Sequence, residues 1–264
     1  MNQETHRLAI GCMGLGGGWN EKAYDKNHIT QAEKVIETAL ELGIRFFDHA
    51  DIYARGKAEA VFGEVLQSRP ELREKIFLQT KCGIQLPGDP PGCQQGRYDF
   101  SRKHILDSVE QSLLRLKTEF IDMLLLHRPD PLLEPEEVAN VFEQLKQSGK
   151  VKEFGVSNHT PAQMALLQKF LTVPIASNQM EFHLLQSGML DGGISGSKGP
   201  MDPPGLEGTI EYCRLHNIRL QAWSPVSKGL LSGQKYKGKD EKLKERILNC
   251  SRKVGEFSKK YKVP

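Results

Sequence analysis

The chain has 264 residues, 26% of them charged, and a net charge of +3. This length suits one domain or at most two, and so small a charge with scattered Lys and Arg gives no footprint for nucleic acid. No apolar stretch approaches a membrane span, and MNQETHRLAIG lacks the apolar core of a signal peptide, so a soluble, cytoplasmic protein is expected. Cys12, Cys82, Cys93, Cys213 and Cys250 form no C-x-x-C pair, which favours reduced thiols over a disulfide framework or a zinc site.

Along the chain, apolar β-branched runs predict strands at 7–17, 44–50, 75–83, 120–129, 151–158, 174–182 and 218–226. Helical patterns lie between them. HITQAEKVIETALELG puts Ala32, Val35, Ile36, Ala39 and Leu40 on one face and stops at Gly43. SRKHILDSVEQSLLRLK does the same with Ile105, Val109, Leu113 and Leu116 behind a cap at Ser101. TPAQMALLQKFL opens with Thr160 as N-cap, Pro161 at the first helical position and Gln163 closing a capping box. The segments 85–99 and 190–205 are rich in Gly and Pro and read as long loops, either mobile lids or disordered. Residues 239–264 read as basic, helical and largely exposed, a solvated helix face. With no linker in view, residues 1–264 are expected to form a single domain.

Strands alternating with helices imply parallel pairing through right-handed crossovers, in an open doubly wound sheet or a (β/α) barrel. Polar residues sit at the end of one strand after another: Asp48, Lys81, His127, Ser157 with Asn158, Gln179, then Ser224. A barrel gathers such ends around one mouth, and no G-x-G-x-x-G opens a helix, so the barrel is preferred.

Three chemistries suit FFDHADIYARGKAE and its partners. His49, Asp51, His127 and Asp130 could ligate a metal, although alternation sends Asp48 and His49 to opposite sides and Lys81 repels a divalent cation. Each residue alone could be structural, an ion pair or a satisfied histidine. Together, Asp48, Tyr53, Lys81 and His127 could donate a proton. A nearby ammonium should lower the phenol pKa, Asp48 would hold Lys81, and neutral His127 could polarise a carbonyl oxygen. That chemistry requires a hydride source, which no side chain supplies.

The spacing in DHADIY, the lysine of QTKCG and the histidine of LLLHRPD resemble the tetrad of the aldo-keto reductases. GKVKEFGVSN, ASNQMEF and AWSPVSKGLLSG are similar to that family's cofactor segments in the expected order, and the whole looks closest to its bacterial oxidoreductase branch. The resemblance implies a (β/α)8 TIM-type barrel that uses NADPH to reduce a small-molecule aldehyde or ketone, without a metal. It implies Tyr53 as proton donor, assisted by Lys81, Asp48 and His127. Ser157, Asn158 and Gln179 would hold the nicotinamide carboxamide, and Trp223 would stack on the ring, where core packing is the alternative. The backbone from Ser224 and Pro225 through Gly229, Leu230 and Leu231 would pass the pyrophosphate. Trp19 would wall the substrate pocket or anchor the surface, His49 would lie at the pocket rim, and Asp51 would tether the loop leading to Tyr53.

The family pattern continues with an eighth strand and closing helices, for which 239–264 offers no strand; this predicts a barrel short of its last elements, with exposed strand edges that a partner chain could cover. The adenosine and 2′-phosphate contacts of the family fall largely in that part. A non-catalytic binding or regulatory relative that has lost cofactor affinity is therefore the alternative to a reductase.

Overall fold

The computed structural model describes residues 7–89, 91–195 and 206–262. They fall into two compact units, one of Met1–Ser157 and Ala162–Ser177, the other of Asn158–Pro161 and Asn178–Pro264.

In the first unit, strands and helices alternate as expected. The order is β1 (Ile10–Gly11), α1 (Lys26–Glu41), β2 (Phe46–Asp48), α2 (Lys57–Ser68), β3 (Phe77–Cys82), β4 (Ile84–Gln85), β5 (Arg97–Tyr98) and α3 (Arg102–Leu116). After these come β6 (Ile121–Leu126), α4 (Pro135–Gln147), β7 (Val151–Ser157), α5 (Pro161–Phe170) and β8 (Ile175–Glu181). Strands β1, β2, β3, β6 and β7 pair in parallel in that order. The register sets Gly11 beside Asp48, Asp48 beside Gln79, and Lys81 beside Leu125.

Alternation along each strand sorts side chains between two faces. Phe47 turns toward α2 and meets Phe62 at 5.3 Å between ring centroids. Asp48 turns the other way. Both phenylalanines are fully buried, each worth about 1.5–3 kcal/mol in apolar transfer. Farther along, Phe142 of α4 stacks on Phe154 of β7 at 4.1 Å. Helix α1 buries Ala32, Ile36 and Ala39 as its periodicity requires, and Asp25 caps it through Asn27 N–H and His28 N–H. Ser101 caps α3 by accepting from His104 N–H. Ile105, Val109, Leu113 and Leu116 all face the core.

The stretch 85–99, expected as a loop, instead carries a small antiparallel ribbon. Strand β4 pairs with β5 through Ile84 with Tyr98 and Gln85 with Arg97. Gly83 makes the entry possible. Its φ is +104°, and the Phe100 ring stands 1.9 Å from where a Cβ would be. The second expected loop keeps a helix, α6 (Gly188–Ser195), and its positions 196–205 lie outside the described residues.

The second unit holds the end of β8, then α6, α7 (Thr209–Leu215), β9 (Arg219–Trp223) beside β8, and α8 (Glu241–Tyr261). The expected basic helix is thus one continuous element of 21 residues. It is capped by Asp240, which accepts from Leu243 N–H, and Ile247 is its buried residue. No helix among the described residues is long and apolar enough to cross a membrane.

Candidate active site

A lysine is almost never fully buried without partners. Lys81 has none of its surface exposed, and its ammonium spends all three protons inside the first unit. It donates to Asp48 Oδ2 at 2.8 Å, to the His49 carbonyl at 2.8 Å and to Tyr53 Oη at 3.0 Å. Gln79 lies two residues before Lys81 on β3 and so points the same way. Its Nε2 donates to Asp48 Oδ1 at 2.5 Å. The carboxylate is therefore held on both oxygens, and Gln79 is a site residue that the motif reading passed over.

Tyr53 is placed by the turn that follows β2. His49 N–H donates to the Gln79 carbonyl and Asp51 N–H to the Lys81 carbonyl, extending the β2–β3 ladder up to the turn. Tyr53 N–H then donates back to Ala50. Ala54, Arg55 and Gly56 follow with φ of 49°, 60° and 83°. Two non-glycine residues in the left-handed region cost about 1–2 kcal/mol each, a local strain of the kind that gathers at functional sites. Ala54 is fully buried there, and Arg55 is tied to Glu21 at 2.6 Å.

The electrostatics correct one expectation. Burial opposes the charge on Lys81, yet Asp48 first and the Tyr53 oxygen second outweigh it and hold the ammonium above its ordinary pKa. Burial also acts on Tyr53 and raises its pKa; Lys81 pulls it down, but Asp48 pushes the same way as burial. The pKa of the Tyr53 phenol is thus raised, not lowered. It keeps its proton at neutral pH.

His127 follows β6, with its N–H on the Cys82 carbonyl at 2.9 Å. Burial first, then Lys81 and Arg128, keep its imidazole neutral well below the usual pH. Its Nδ1 is enclosed without a hydrogen-bond partner. The ring meets Tyr53 edge-on, 5.9 Å between centroids. Trp19, half exposed, approaches Tyr53 from another side at 6.4 Å.

Other members of the quoted stretch lie elsewhere. His49 is not at a rim: it is fully buried on the helix side of β2, with its ring 4.7 Å from Phe62. Strand alternation demands this. Burial, then Lys81, lowers its pKa to about 3. Asp51 sits near Glu59, and burial followed by that like charge raises its pKa to about 8, against Arg115 and a hydrogen bond from Ser108. Asp130 accepts from Leu132 N–H in a turn. Among the described residues no group of three or more His, Cys, Asp or Glu could hold a metal ion.

Ser157, the last residue of β7, is buried in the first unit. The second unit assembles the other expected cofactor residues. Asn158 takes a φ of 61° and donates its N–H to the Gln179 carbonyl at 2.9 Å. The Trp223 indole N–H donates to Asn158 Oδ1 at 3.0 Å, and Gln179 Nε2 donates to Gln221 Oε1 at 2.9 Å. A turn follows β9 directly. Ser224, Ser227, Lys228 and Gly229 in it all have positive φ, and Leu230 and Leu231 lie in the short helical segment Ser227–Ser232. Pro225 and Val226 separate Ser224 from that segment.

A profile of the Aldo/keto reductase family matches residues 7–264. The chain belongs to the aldo/keto reductase family. Oxidoreductase YdhF of Escherichia coli (strain K12) is 41% identical over 218 residues, covering 83% of this chain and 66% of YdhF. The uncharacterized oxidoreductase YcsN of Bacillus subtilis (strain 168) is 40% identical over 225 residues, covering 85% of this chain and 70% of YcsN. The expected likeness to the bacterial oxidoreductases of the family holds. Among solved structures, glycerol dehydrogenase AKR11B4 from Gluconobacter oxydans matches with a TM-score of 0.71 at 27% identity, over 91% of this chain and 66% of that one. Aldo-keto reductase AKR11C1 from Bacillus halodurans, in its holo form, matches with a TM-score of 0.68 at 27% identity, over 88% and 66%. This aldo/keto reductase chain therefore spans about two thirds of the length of the relatives it matches. Its alternating parallel strands and helices are those of the family's (β/α)8 barrel.

Proposed function

We propose that the chain is an oxidoreductase that uses NADPH to reduce an aldehyde or ketone to an alcohol. The observation that carries this reading is the Lys81 ammonium, fully buried and shared between Asp48 and the Tyr53 hydroxyl. A phenol that keeps its proton yet touches a fixed cation is suited to give that proton to a forming alkoxide.

The residues present fit a nicotinamide dinucleotide. Asn158 and Gln179 offer two side-chain amides in one hydrogen-bonded group, and the indole bonded to Asn158 puts an aromatic face beside them. The left-handed turn 224–229 exposes backbone of the kind that lies along phosphates. In this reading Ser157, Asn158 and Gln179 hold the carboxamide, Trp223 lies on the ring, and the backbone of Ser224, Pro225, Gly229, Leu230 and Leu231 passes the pyrophosphate. The nicotinamide, when bound, supplies the hydride.

The chain's own residues do the rest. Tyr53 delivers its proton to the substrate oxygen. Lys81 stabilises the phenolate left behind, and Asp48, fixed in turn by Gln79, keeps the ammonium in place. Neutral His127 orients the carbonyl, and Trp19 bounds the space beside Tyr53. The reduction balances: a hydride to carbon, a proton to oxygen.

Titration with NADPH, and separately NADH, followed by tryptophan fluorescence and then by turnover of a panel of aldehydes, tests the reading. Saturable quenching that disappears in Trp223→Ala, with turnover that falls by about 10²- to 10⁴-fold in Tyr53→Phe, is expected. The second reading is a non-catalytic binding or regulatory relative that has lost cofactor affinity. A folded chain that binds neither cofactor, or that binds one and reduces no aldehyde or ketone, would select it.

A further inference from the structure

In the proposed reduction Tyr53 works only while its hydroxyl stays on the Lys81 ammonium, yet the segment that carries it is strained. Ala54 and Arg55 hold a left-handed φ, which non-glycine residues keep only where their surroundings fix them. The fixing contacts lie on the helix side of the sheet, away from the reacting groups. At one end of the segment, the Asp51 N–H donates to the Lys81 carbonyl at 3.0 Å. At the other end stands Glu59, in the first turn of α2 and with no exposed surface. Its Oε1 accepts from the Thr80 hydroxyl at 2.6 Å, and its Oε2 accepts from Arg115 Nε at 2.8 Å.

Thr80 precedes Lys81 on β3, so alternation sends the two side chains to opposite faces. The segment 51–59 is thus tied at both ends to one dipeptide, Thr80–Lys81. Tyr53, between the ties, meets the side chain of that same Lys81 at 3.0 Å. Arg115 supports the middle. Its side chain lies against Gly56, where φ is +83° and a Cβ would stand 3.0 Å from Arg115 Cδ.

Helix packing alone accounts for only half of this network. The pair of Glu59 and Arg115 would join α2 to α3 without any help from Thr80. A valine at position 80 would fill the same space on a buried strand, with no hydroxyl to satisfy. A buried carboxyl that spends one oxygen on the residue beside the lysine does something more. It fixes the start of α2, and with it the turn, relative to Lys81. The benefit of such a tie is large, since misplacing a reacting group by about 1 Å can cost about 10²-fold in rate.

We infer that Glu59 and Thr80 are positioning residues of the proton-donating pair, holding the Tyr53 turn against β3 so that the phenol reaches the Lys81 ammonium. The effect on turnover rests on the reductase reading; the effect on the contact does not. The test compares Thr80→Val, which keeps shape and burial but removes the hydroxyl, with Thr80→Ser, which keeps the hydroxyl. In Thr80→Val kcat should fall about tenfold or more, with KM and NADPH affinity within about twofold of the parent. Thr80→Ser should recover most of the loss. On a Tyr53→Phe background Thr80→Val should change kcat by less than about twofold, because the group it positions is gone. A second readout needs no turnover. The [ζ-¹³C]tyrosine resonance of Tyr53, recognised by its loss in Tyr53→Phe, should shift in Thr80→Val and return in Thr80→Ser. Should Thr80→Val not fold, Glu59→Gln carries the same reading, since an amide offers one acceptor oxygen to two donors. A parent without turnover sinks the reductase reading alone and leaves the resonance to decide. The inference is overturned by a Tyr53 resonance unmoved in the folded variant, by an unchanged kcat in an active enzyme, or by an equal loss on the Tyr53→Phe background. Any of these makes the network a support of the fold only.

Discussion

Tyr53 and Lys81, bridged to Asp48, form a unit in which neither the phenol's nor the ammonium's ionisation is set by itself. Burial makes the phenolate and the ammonium each costly, while their proximity favours the ammonium and leaves the phenol protonated. Removing only the hydroxyl, in Tyr53→Phe, takes away the proton and little else. Turnover should fall by about 10²- to 10⁴-fold, the usual worth of a positioned acid, with NADPH affinity within about twofold of the parent. Steady-state kinetics beside a fluorescence titration checks this; a variant with near-parental kcat would exclude Tyr53 as donor. Lys81→Met does something different. It leaves Asp48 buried beside Gln79 without its cation, so both activity and stability should drop, the latter by about 3–5 kcal/mol. Urea unfolding separates the two variants, since Tyr53→Phe should unfold close to the parent.

At the scale of elements, α2 and α3 come into contact so closely that one residue decides their packing. A Cβ at Gly63 would stand 2.0 Å from the Arg115 carbonyl oxygen, and backbone cannot swing aside as a side chain can. Gly63→Ala therefore gains helix propensity yet forces the helices apart. A loss of about 1–3 kcal/mol is expected in a urea melt, and a gain would mean that the helices separate freely. The same contact brings Arg115 to Glu59, and Glu59 in turn receives the Thr80 hydroxyl of β3 at 2.6 Å. Periodicity made α1, α3 and the main strands legible, because their apolar faces repeat over many residues. It was silent on the β4–β5 ribbon, which has only two residues in each strand and owes its place to Gly83 yielding to Phe100.

At the scale of the molecule, buried titratable groups give opposing slopes to stability against pH. His49 stays neutral in the fold down to about pH 3, whereas an unfolded imidazole is protonated near 6.5. Its contribution is complete above about pH 6.5 and is lost as pH falls toward 3, and His127 acts in the same direction. Asp51 is the reverse. It keeps its proton in the fold to about pH 8, so its contribution is complete below about pH 4 and is lost as pH rises toward 8. The slopes oppose one another between about pH 4 and 6.5; above that, of these three groups, Asp51 alone still changes. Stability should therefore decline from about pH 6.5 to 8, by at most about 1.4 kcal/mol per pH unit, and Asp51→Asn should flatten the decline. Urea midpoints across that range measure it, and a slope unaltered in the variant would remove Asp51 from the account.

Sequence by itself determined the alternation of strand and helix, the places of Asp48, Lys81, His127 and Asn158 at strand ends, and the opposite facing of Asp48 and His49. All of these follow from short-range repeats of 2.0 and 3.6 residues. Only the tertiary structure decided that Gln79 would share Asp48, that His49 would be buried against Phe62, and that Tyr53 would hold its proton more tightly rather than less. Those outcomes depend on how completely water is excluded and on which distant segment arrives next to a charge. Neither quantity is written in local spacing, and in a low-dielectric interior both outweigh it.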